Sequence, residues 1–315
     1  MATSFFEGPE KKVEWVVVDG FPSLRSLGDE RWEGIVRAAR AQIISKLSSE
    51  RCDAYLLSES TLLVYDEHAT LITCGRTRLV DAVECALETI PPQAIAFLVL
   101  ERKNEHFPRE QPTDFATDAR RLSELLPGRA LRFGAEHSHA IELFHTLRPY
   151  EPDAEDTTLE VLMHGIAEAA NPFRGDGGSD ALARARSVGL GNVIPGFAVD
   201  DHAFTPAGYS LNALRGPHYF TFHVTPEDVG SYASFETNVD HRADPELVLR
   251  VVEPFRPQAF DVFAYAPDGE ALSLEVPGYV LHQHVTAPVC GYGVSFLHFC
   301  RPAAGATGAT PIALG

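Results

Sequence analysis

The sequence predicts an α+β fold in which amphipathic helices cover antiparallel sheets. Short runs rich in β-branched and aromatic residues recur along the whole chain, and fewer segments carry apolar residues at helical spacing. The sequence contains no glycine-rich phosphate loop between a strand and a helix, which argues against a dinucleotide-binding fold. The 315 residues are enough for one large domain or two smaller ones.

In the first half, predicted strands alternate with predicted helices. Strands are expected at residues 13–19, 53–65, 70–74 and 94–100, and Ser58-Glu59-Ser60 interrupts the second of them. Further helices are expected at 79–90 and 115–126, each followed by a proline. A helix is expected from Asp29, with its apolar face formed by Trp32, Ile35, Val36, Ala39, Ile43 and Leu47.

The clearest linker lies at residues 171–178, where Asn171-Pro172 precedes several glycines. After it a similar alternation returns, with a helix expected from Asp244-Pro245. The predicted strands of this part are residues 218–224, 231–237, 259–265, 275–282 and 294–299. We therefore predict a single domain built of two similar halves, about 1–170 and 179–315.

Charge and cysteine content restrict the function. The net charge of −18 disfavours nucleic acid as a partner and favours a small cationic ligand, although acidity can also serve solubility alone. The sequence has no apolar run near the ~20 residues of a membrane helix, and no basic segment followed by an apolar stretch at its start. Five scattered cysteines without a CxxC spacing predict no zinc site and a reducing, cytoplasmic location.

The tripeptide Ser58-Glu59-Ser60 is unusual inside a β-rich segment, where a bulge or a surface strand is the ordinary explanation. A serine hydroxyl can also attack the preceding carbonyl to give an ester. Elimination from that ester leaves dehydroalanine, which hydrolyses to a pyruvoyl group. Such a reaction needs a strained turn, a polarised carbonyl and a nearby base.

Several ordered motifs favour the reactive interpretation. FFEGPEKKVE (residues 5–14) and AYLLSESTLLVY (residues 54–65) are followed by TCG (73–75), IPG (194–196), GYSLN (208–212), HVTPE (223–227) and SYASFETN (231–238). Together they resemble the eukaryotic-type S-adenosylmethionine decarboxylase proenzymes over nearly the whole chain. Thr61 departs from the family's YxLSESS pattern but keeps a hydroxyl. The resemblance implies a four-layer α/β/β/α sandwich of two antiparallel sheets.

The resemblance also implies roles in catalysis. Ser60 matches the serine that becomes the covalent pyruvoyl cofactor, and Glu59 becomes the C-terminus of the small chain, so that cleavage gives residues 1–59 and 60–315. Cys74 matches the proton donor, although a free cysteine is more often a small buried apolar residue. Glu7 and Glu10 match two acidic residues of the active site. Ser210 and His223 match a pair that assists self-cleavage.

The implied substrate is S-adenosylmethionine, decarboxylated for spermidine and spermine synthesis by a monomer or a homodimer of cleaved protomers. Phe6 and Phe204 match two rings that sandwich the adenine, since a flat cationic nucleoside suits a pair of π-faces. Glu227 matches the carboxylate that holds the ribose hydroxyls. Leu57 and Glu59 are further expected substrate contacts.

Animal members of this family are activated by putrescine, which binds an acidic cluster between the sheets. The matching positions here are Glu14, Asp156, Thr158, Glu160 and Glu236. Two positions differ, because Ile72 stands where those members carry lysine and Lys12 stands where they carry an apolar residue. Lys12 shares a strand face with Glu14 and can act as a built-in cation, or it can extend to solvent. We predict weak or absent dependence on putrescine.

Two other functions stay open at this point. The same pyruvoyl chemistry can decarboxylate another amino acid, but such a substrate does not need the adenine and ribose contacts. A catalytically inactive regulatory paralogue is expected to have lost the cleavage serine or the proton donor, and both are present. Four histidines match no motif, and we expect surface or packing roles and no metal site for them: His137, His139, His145 and His164.

Overall fold

The computed structural model describes residues 8–103, 105–135, 138–166, 169–175, 178–228, 230–267 and 269–302. It confirms the predicted α+β class, with two eight-stranded antiparallel sheets and a few helices. Among the residues described, no helix has the length and apolar character needed to cross a membrane.

The first sheet has the strand order β2-β3-β4-β5-β1-β6-β8-β7. Its strands are β1 Lys11–Val17, β2 Ile43–Ser48, β3 Asp53–Leu57, β4 Ser60–Val64, β5 His68–Thr73, β6 Ile95–Lys103, β7 Gly128–Gly134 and β8 Ala140–Thr146. Its helices are α1 Asp29–Ala38, α2 Leu79–Leu87 and α3 Phe115–Leu125.

The second sheet has the order β10-β11-β12-β13-β9-β14-β16-β15. Its strands are β9 Thr158–His164, β10 Ala198–Ala203, β11 Tyr209–Arg215, β12 His218–Thr225, β13 Tyr232–Thr237, β14 Ala259–Ala266, β15 Val280–Val289 and β16 Tyr292–Cys300. Its helices are α4 Gly178–Ser187 and α5 Leu247–Val252.

The two sheets repeat one topology, since adding eight to each strand number of the first order gives the second. The predicted boundary between the halves is wrong in position. β9 pairs with β13 and β14, so the second repeat begins by residue 158 and not after the linker at 171–178. Part of that linker is helical, because α4 starts at Gly178.

The main apolar cores of the described residues define four layers. One core joins α1, α2 and α3 to the first sheet, and a second joins α4 and α5 to the other sheet. The third core lies between the sheets, where Phe97 and Phe133 of the first meet Phe263 and Phe296 of the second. Alternate residues of each strand therefore face either the helices or the space between the sheets.

Some predicted elements are displaced. α1 ends at Ala38 and Arg40 adopts φ +67°, so Ile43 and Leu47 belong to β2 and not to the helix. The strand predicted at 275–282 begins only at Val280, because a turn with Gly278 at φ +85° precedes it. Strands β7, β8, β9, β10 and β11 were not predicted.

Candidate active site

Ser60 lies at the end of a tight hairpin. Leu57 ends β3 and pairs with Ser60, which starts β4, so that Ser58 and Glu59 form the turn. Ser60 has φ +132°, a strained conformation for a residue with a side chain. Its hydroxyl oxygen is buried and has no hydrogen-bond partner within the described part of the chain. The hydroxyl is therefore not held in another interaction beside the peptide bond that it would attack.

The carbonyl of Glu59 is polarised by the backbone. The amide N–H of Cys74 donates to the Glu59 carbonyl oxygen at 2.9 Å. The next turn is held by Lys11, whose Nζ donates to the carbonyl oxygens of Gly75 at 2.9 Å and Thr77 at 3.2 Å. A fixed N–H donor on a carbonyl stabilises the negative charge that forms on its oxygen during attack.

The Cys74 thiol lies beside the same turn, with Sγ 4.0 Å from Oε2 of Glu59. Burial, and then the carboxylates of Glu59 and Glu10, raise the pKa of Cys74 well above its usual range. Burial also raises the pKa of Glu59 to about 7, against the opposing charge of Lys11. The thiol is therefore protonated at neutral pH, as a proton donor must be.

His223 is held by two hydroxyl groups. Its Nδ1 is 2.9 Å from Oγ of Ser210, and its Nε2 is 3.2 Å from Oγ1 of Thr61. Thr61 donates to Oδ1 of Asn212 at 2.6 Å, so Thr61 accepts from Nε2–H and Nδ1 of His223 accepts from Ser210. Burial lowers the pKa of His223 to about 3, which leaves a neutral imidazole next to the residue that follows Ser60.

Glu10 directly precedes β1 and accepts a hydrogen bond from Ser234 Oγ at 2.7 Å. Burial raises the pKa of Glu10 to about 8, although the Ser234 bond and the charge of Lys103 lower it. This carboxyl group can therefore gain or lose a proton near neutral pH. The predicted residues Phe6 and Glu7 lie outside the described residues.

The other expected substrate residues differ in their placement. Phe204 is half-buried in the loop after β10, with its ring edge-on to His202 at 4.8 Å between centroids. Glu227 is half-buried in the loop after β12, and Arg174 donates to its backbone carbonyl at 3.5 Å. The Leu57 side chain packs in the core beneath the helices, so only its backbone faces the turn.

A second polar cluster lies between the sheets. Lys12 Nζ is 2.9 Å from Oε1 of Glu160 and 3.1 Å from Oε2 of Glu236, and all three side chains are buried. Burial disfavours the charge on Lys12, but the two carboxylates outweigh it and hold the pKa of Lys12 well above its usual range. Lys12 therefore points into the cluster and not to solvent.

Two residues of this cluster, Glu101 and Lys103, were not predicted from the sequence. Lys103 Nζ is 2.6 Å from Oε2 of Glu160 and also contacts Glu101, which in turn accepts from Tyr265. Burial raises the pKa of Glu160, but Lys103 and Lys12 together bring it to about 2. The signal was present, because three charged residues directly follow the apolar run 95–100 and all of them are buried in β6.

The expected diamine positions Glu14, Asp156 and Thr158 line a cavity of only about 10 Å³ beside Lys12. Glu14 accepts from Thr70 at 3.0 Å, and Asp156 accepts from the Tyr292 hydroxyl at 2.5 Å. The cavity is about the size of one water molecule. A diamine does not fit into it without movement of the surrounding side chains.

Comparisons with known proteins agree with the geometry. The adenosylmethionine decarboxylase family model matches residues 3–299. A protein named S-adenosylmethionine decarboxylase proenzyme from Dictyostelium discoideum is 32% identical over 88% of this chain and 80% of its own length. Proteins of the same name from Trypanosoma cruzi and Xenopus laevis are 35% and 33% identical, over 84% and 82% of this chain and 77% and 82% of their own lengths.

A solved structure shares the fold. The crystal structure of the Trypanosoma brucei AdoMetDC-delta26 monomer superimposes with a TM-score of 0.60 at 24% identity. The match covers 77% of this chain and 99% of the other. The four-layer arrangement of two antiparallel sheets is therefore a known architecture.

Proposed function

The chain belongs to the adenosylmethionine decarboxylase family, and we propose that it decarboxylates S-adenosylmethionine with a pyruvoyl group made from its own Ser60. The observation that carries this proposal is the hydrogen bond from Cys74 N–H to the Glu59 carbonyl, next to the buried Ser60 hydroxyl, which has no partner within the described residues. The product is the aminopropyl donor for spermidine and spermine.

Self-cleavage follows from this arrangement. Ser60 Oγ attacks the Glu59 carbonyl carbon, the Glu59–Ser60 C–N bond breaks, and an ester joins the two residues. Neutral His223, which Ser210 and Thr61 position, accepts the Cα proton of residue 60 as the Cβ–O bond of the ester breaks in the elimination. Glu59 leaves with a free carboxylate, and water replaces the amino group of the dehydroalanine, releasing ammonia and leaving the pyruvoyl group at position 60.

The remaining residues serve the decarboxylation. The pyruvoyl group supplies a carbonyl that binds the substrate amine and accepts the electron pair left by carbon dioxide. Cys74, kept protonated by burial and by Glu59 and Glu10, returns a proton to the α-carbon. The half-buried Phe204 ring offers a stacking face for the adenine, and Phe6 is proposed for its other face.

We also propose that Lys12 substitutes for putrescine. Its ammonium group contacts Glu160 and Glu236, and the neighbouring cavity of about 10 Å³ is too small for a diamine. Lys12 pairs directly with Ile72 across β1 and β5, so a lysine occupies one strand while an apolar residue occupies the adjacent one. The activator's charge is thus supplied by the chain.

Ser60→Ala tests the proposed function. We expect one uncleaved chain without decarboxylase activity, because alanine lacks the attacking oxygen. The matched control is Ser58→Ala in the same turn, which removes only a hydroxyl that accepts from the Gln42 amide and should still give two chains. Cleavage or decarboxylation by Ser60→Ala would remove Ser60 from the mechanism.

A further inference from the structure

Histidine and aspartate side chains converge between the sheets, outside the residues assigned to cleavage and decarboxylation. Asp261 of β14 pairs with His298 of β16, and His164 at the end of β9 lies diagonally from Asp261 on the same face. His139, from the segment before β8 in the first sheet, reaches the same carboxylate. The group joins both repeats.

The spacing of these atoms suits a metal ion. His139 Nδ1 is 3.1 Å and His164 Nε2 is 3.2 Å from the same oxygen, Oδ2 of Asp261. All three atoms lie within 4.8 Å of one another. A tetrahedral zinc ion with bonds of about 2.0–2.1 Å holds its ligand atoms roughly 3.3 Å apart, so small movements would complete the coordination.

His298 contacts the other oxygen of the Asp261 carboxylate. Its Nδ1 is 2.6 Å from Oδ1 of Asp261, and its ring stacks on His139 at 4.3 Å between centroids. Cys300 Sγ lies 3.2 Å from the other ring nitrogen of His298. Partners of this kind fix the orientation of metal ligands.

Access comes from one side. The His139 side chain is 29% exposed, whereas those of His164 and Asp261 are 9% and 4% exposed. An ion can therefore reach the cluster past His139. Binding through His139 Nδ1 and His164 Nε2 would replace the hydrogen bonds of these two nitrogens to Asp261 and would place each ring's proton on its other nitrogen. In His164 that other nitrogen is Nδ1, which is buried and has no hydrogen-bond partner among the described residues.

We propose that His139, His164 and Asp261, supported by His298, bind a divalent transition-metal ion of the zinc class. The ion would connect the segment before β8 to the second sheet. Its role would be structural, because none of its ligands touches the residues proposed for catalysis that lie in the described part of the chain. Sequence analysis predicted no such site, since the ligands are far apart in the chain and follow no known spacing.

The test uses the purified, cleaved protein after chelation. Equilibrium dialysis with Zn²⁺ should give one tightly bound ion per chain, and Co²⁺ should give the visible absorption of a low-symmetry site without a thiolate band. His139→Ala, which changes a partly exposed side chain, should lose this binding and the associated rise in melting temperature. Asp261→Asn should lose it as well.

His284→Ala is the control, because His284 is an exposed histidine of β15 outside the cluster and should keep the ion. Decarboxylation by His139→Ala should stay at the level of the unaltered chain. The proposal is overturned if the unaltered chain binds no stoichiometric ion, if His139→Ala binds as tightly as the unaltered chain, or if Co²⁺ shows thiolate ligation. The first of these outcomes would mean that the cluster is held by hydrogen bonds alone.

Discussion

The Cys74 residue contributes two separate groups to the turn at Ser60. Its backbone N–H contacts the carbonyl that Ser60 would attack, whereas its thiol lies toward the Glu59 side chain. A substitution of the side chain leaves the N–H in place. Cleavage and decarboxylation should therefore respond differently to the same change.

Cys74→Ala is expected to cleave into two chains but to lose decarboxylation. Loss of a general acid typically costs about 10²- to 10⁴-fold in rate, so kcat should fall by roughly that factor. Gel electrophoresis and release of labelled carbon dioxide measure the two properties. Cys85→Ala on α2 is the control and should keep both; normal kcat in Cys74→Ala would show that the thiol is not the donor.

The buried His223 makes a prediction about pH. Its pKa is about 3 in the folded chain but near 6.5 when unfolded, so between these values the unfolded chain alone binds the proton. The free energy of unfolding therefore falls as pH decreases through this range. His223 should account for a loss of about 2 kcal/mol between pH 7 and pH 5.

The free energy of unfolding is compared between Ser60→Ala and Ser60→Ala/His223→Gln, because both variants are expected to stay uncleaved. Denaturant unfolding at pH 7 and pH 5 should show a smaller decrease in the double variant. An equal decrease in the two proteins would mean that His223 is protonated in the folded state.

At the scale of elements, strands β1 and β5 explain the cluster between the sheets. Alternation along β1 places Lys12 and Glu14, with Glu10 just before the strand, toward the second sheet, so Lys12 does not extend to solvent. Lys12 lies opposite Ile72, and Lys103 of β6 supplies a second cation to Glu160. Two lysines thus supply positive charge to the three buried carboxylates of this cluster, those of Glu101, Glu160 and Glu236.

Lys12→Leu should lower activity and make it respond to putrescine. Removal of one partner of a buried ion pair typically costs about 3–5 kcal/mol, because the remaining carboxylates stay buried without compensation. Activity with and without millimolar putrescine is measured for the unaltered chain, Lys12→Leu and Lys12→Arg. We expect little stimulation of the unaltered chain and of Lys12→Arg.

Strong stimulation of the unaltered chain, with the same response in Lys12→Leu, would contradict the built-in cation. Thermal unfolding of each variant distinguishes this result from a loss of folded protein. Lys12→Arg keeps the charge and therefore separates electrostatics from changes of packing.

Local sequence patterns predicted those features that depend on the residues of a single strand. The polar tripeptide marked an interruption in the β-rich run, although the split of that run into β3 and β4 was not predicted. Alternation gave the face of Lys12. The sequence could not indicate that Asn212 holds Thr61 or that His139 and His164 meet at Asp261, because these contacts join distant strands. The boundary of the halves was misplaced because β9 precedes the more obvious glycine-rich segment.

At the scale of the whole molecule, the two repeats divide the chemistry. The first sheet carries the cleavage turn and Cys74, whereas the second carries Ser210, His223 and Ser234 on the facing strands. Contacts such as Thr61 to Asn212 cross between the sheets. Each repeat alone would lack part of the site, so packing of the two sheets must precede self-cleavage.

The most direct test of the central claim is the intact mass of the purified protein. We predict two chains, residues 1–59 with an unmodified carboxyl terminus and residues 60–315 with an amino terminus blocked by a pyruvoyl group that reacts with hydroxylamine. A single chain, a cut at another bond, or a free Ser60 amine would contradict self-cleavage by the Ser60 hydroxyl.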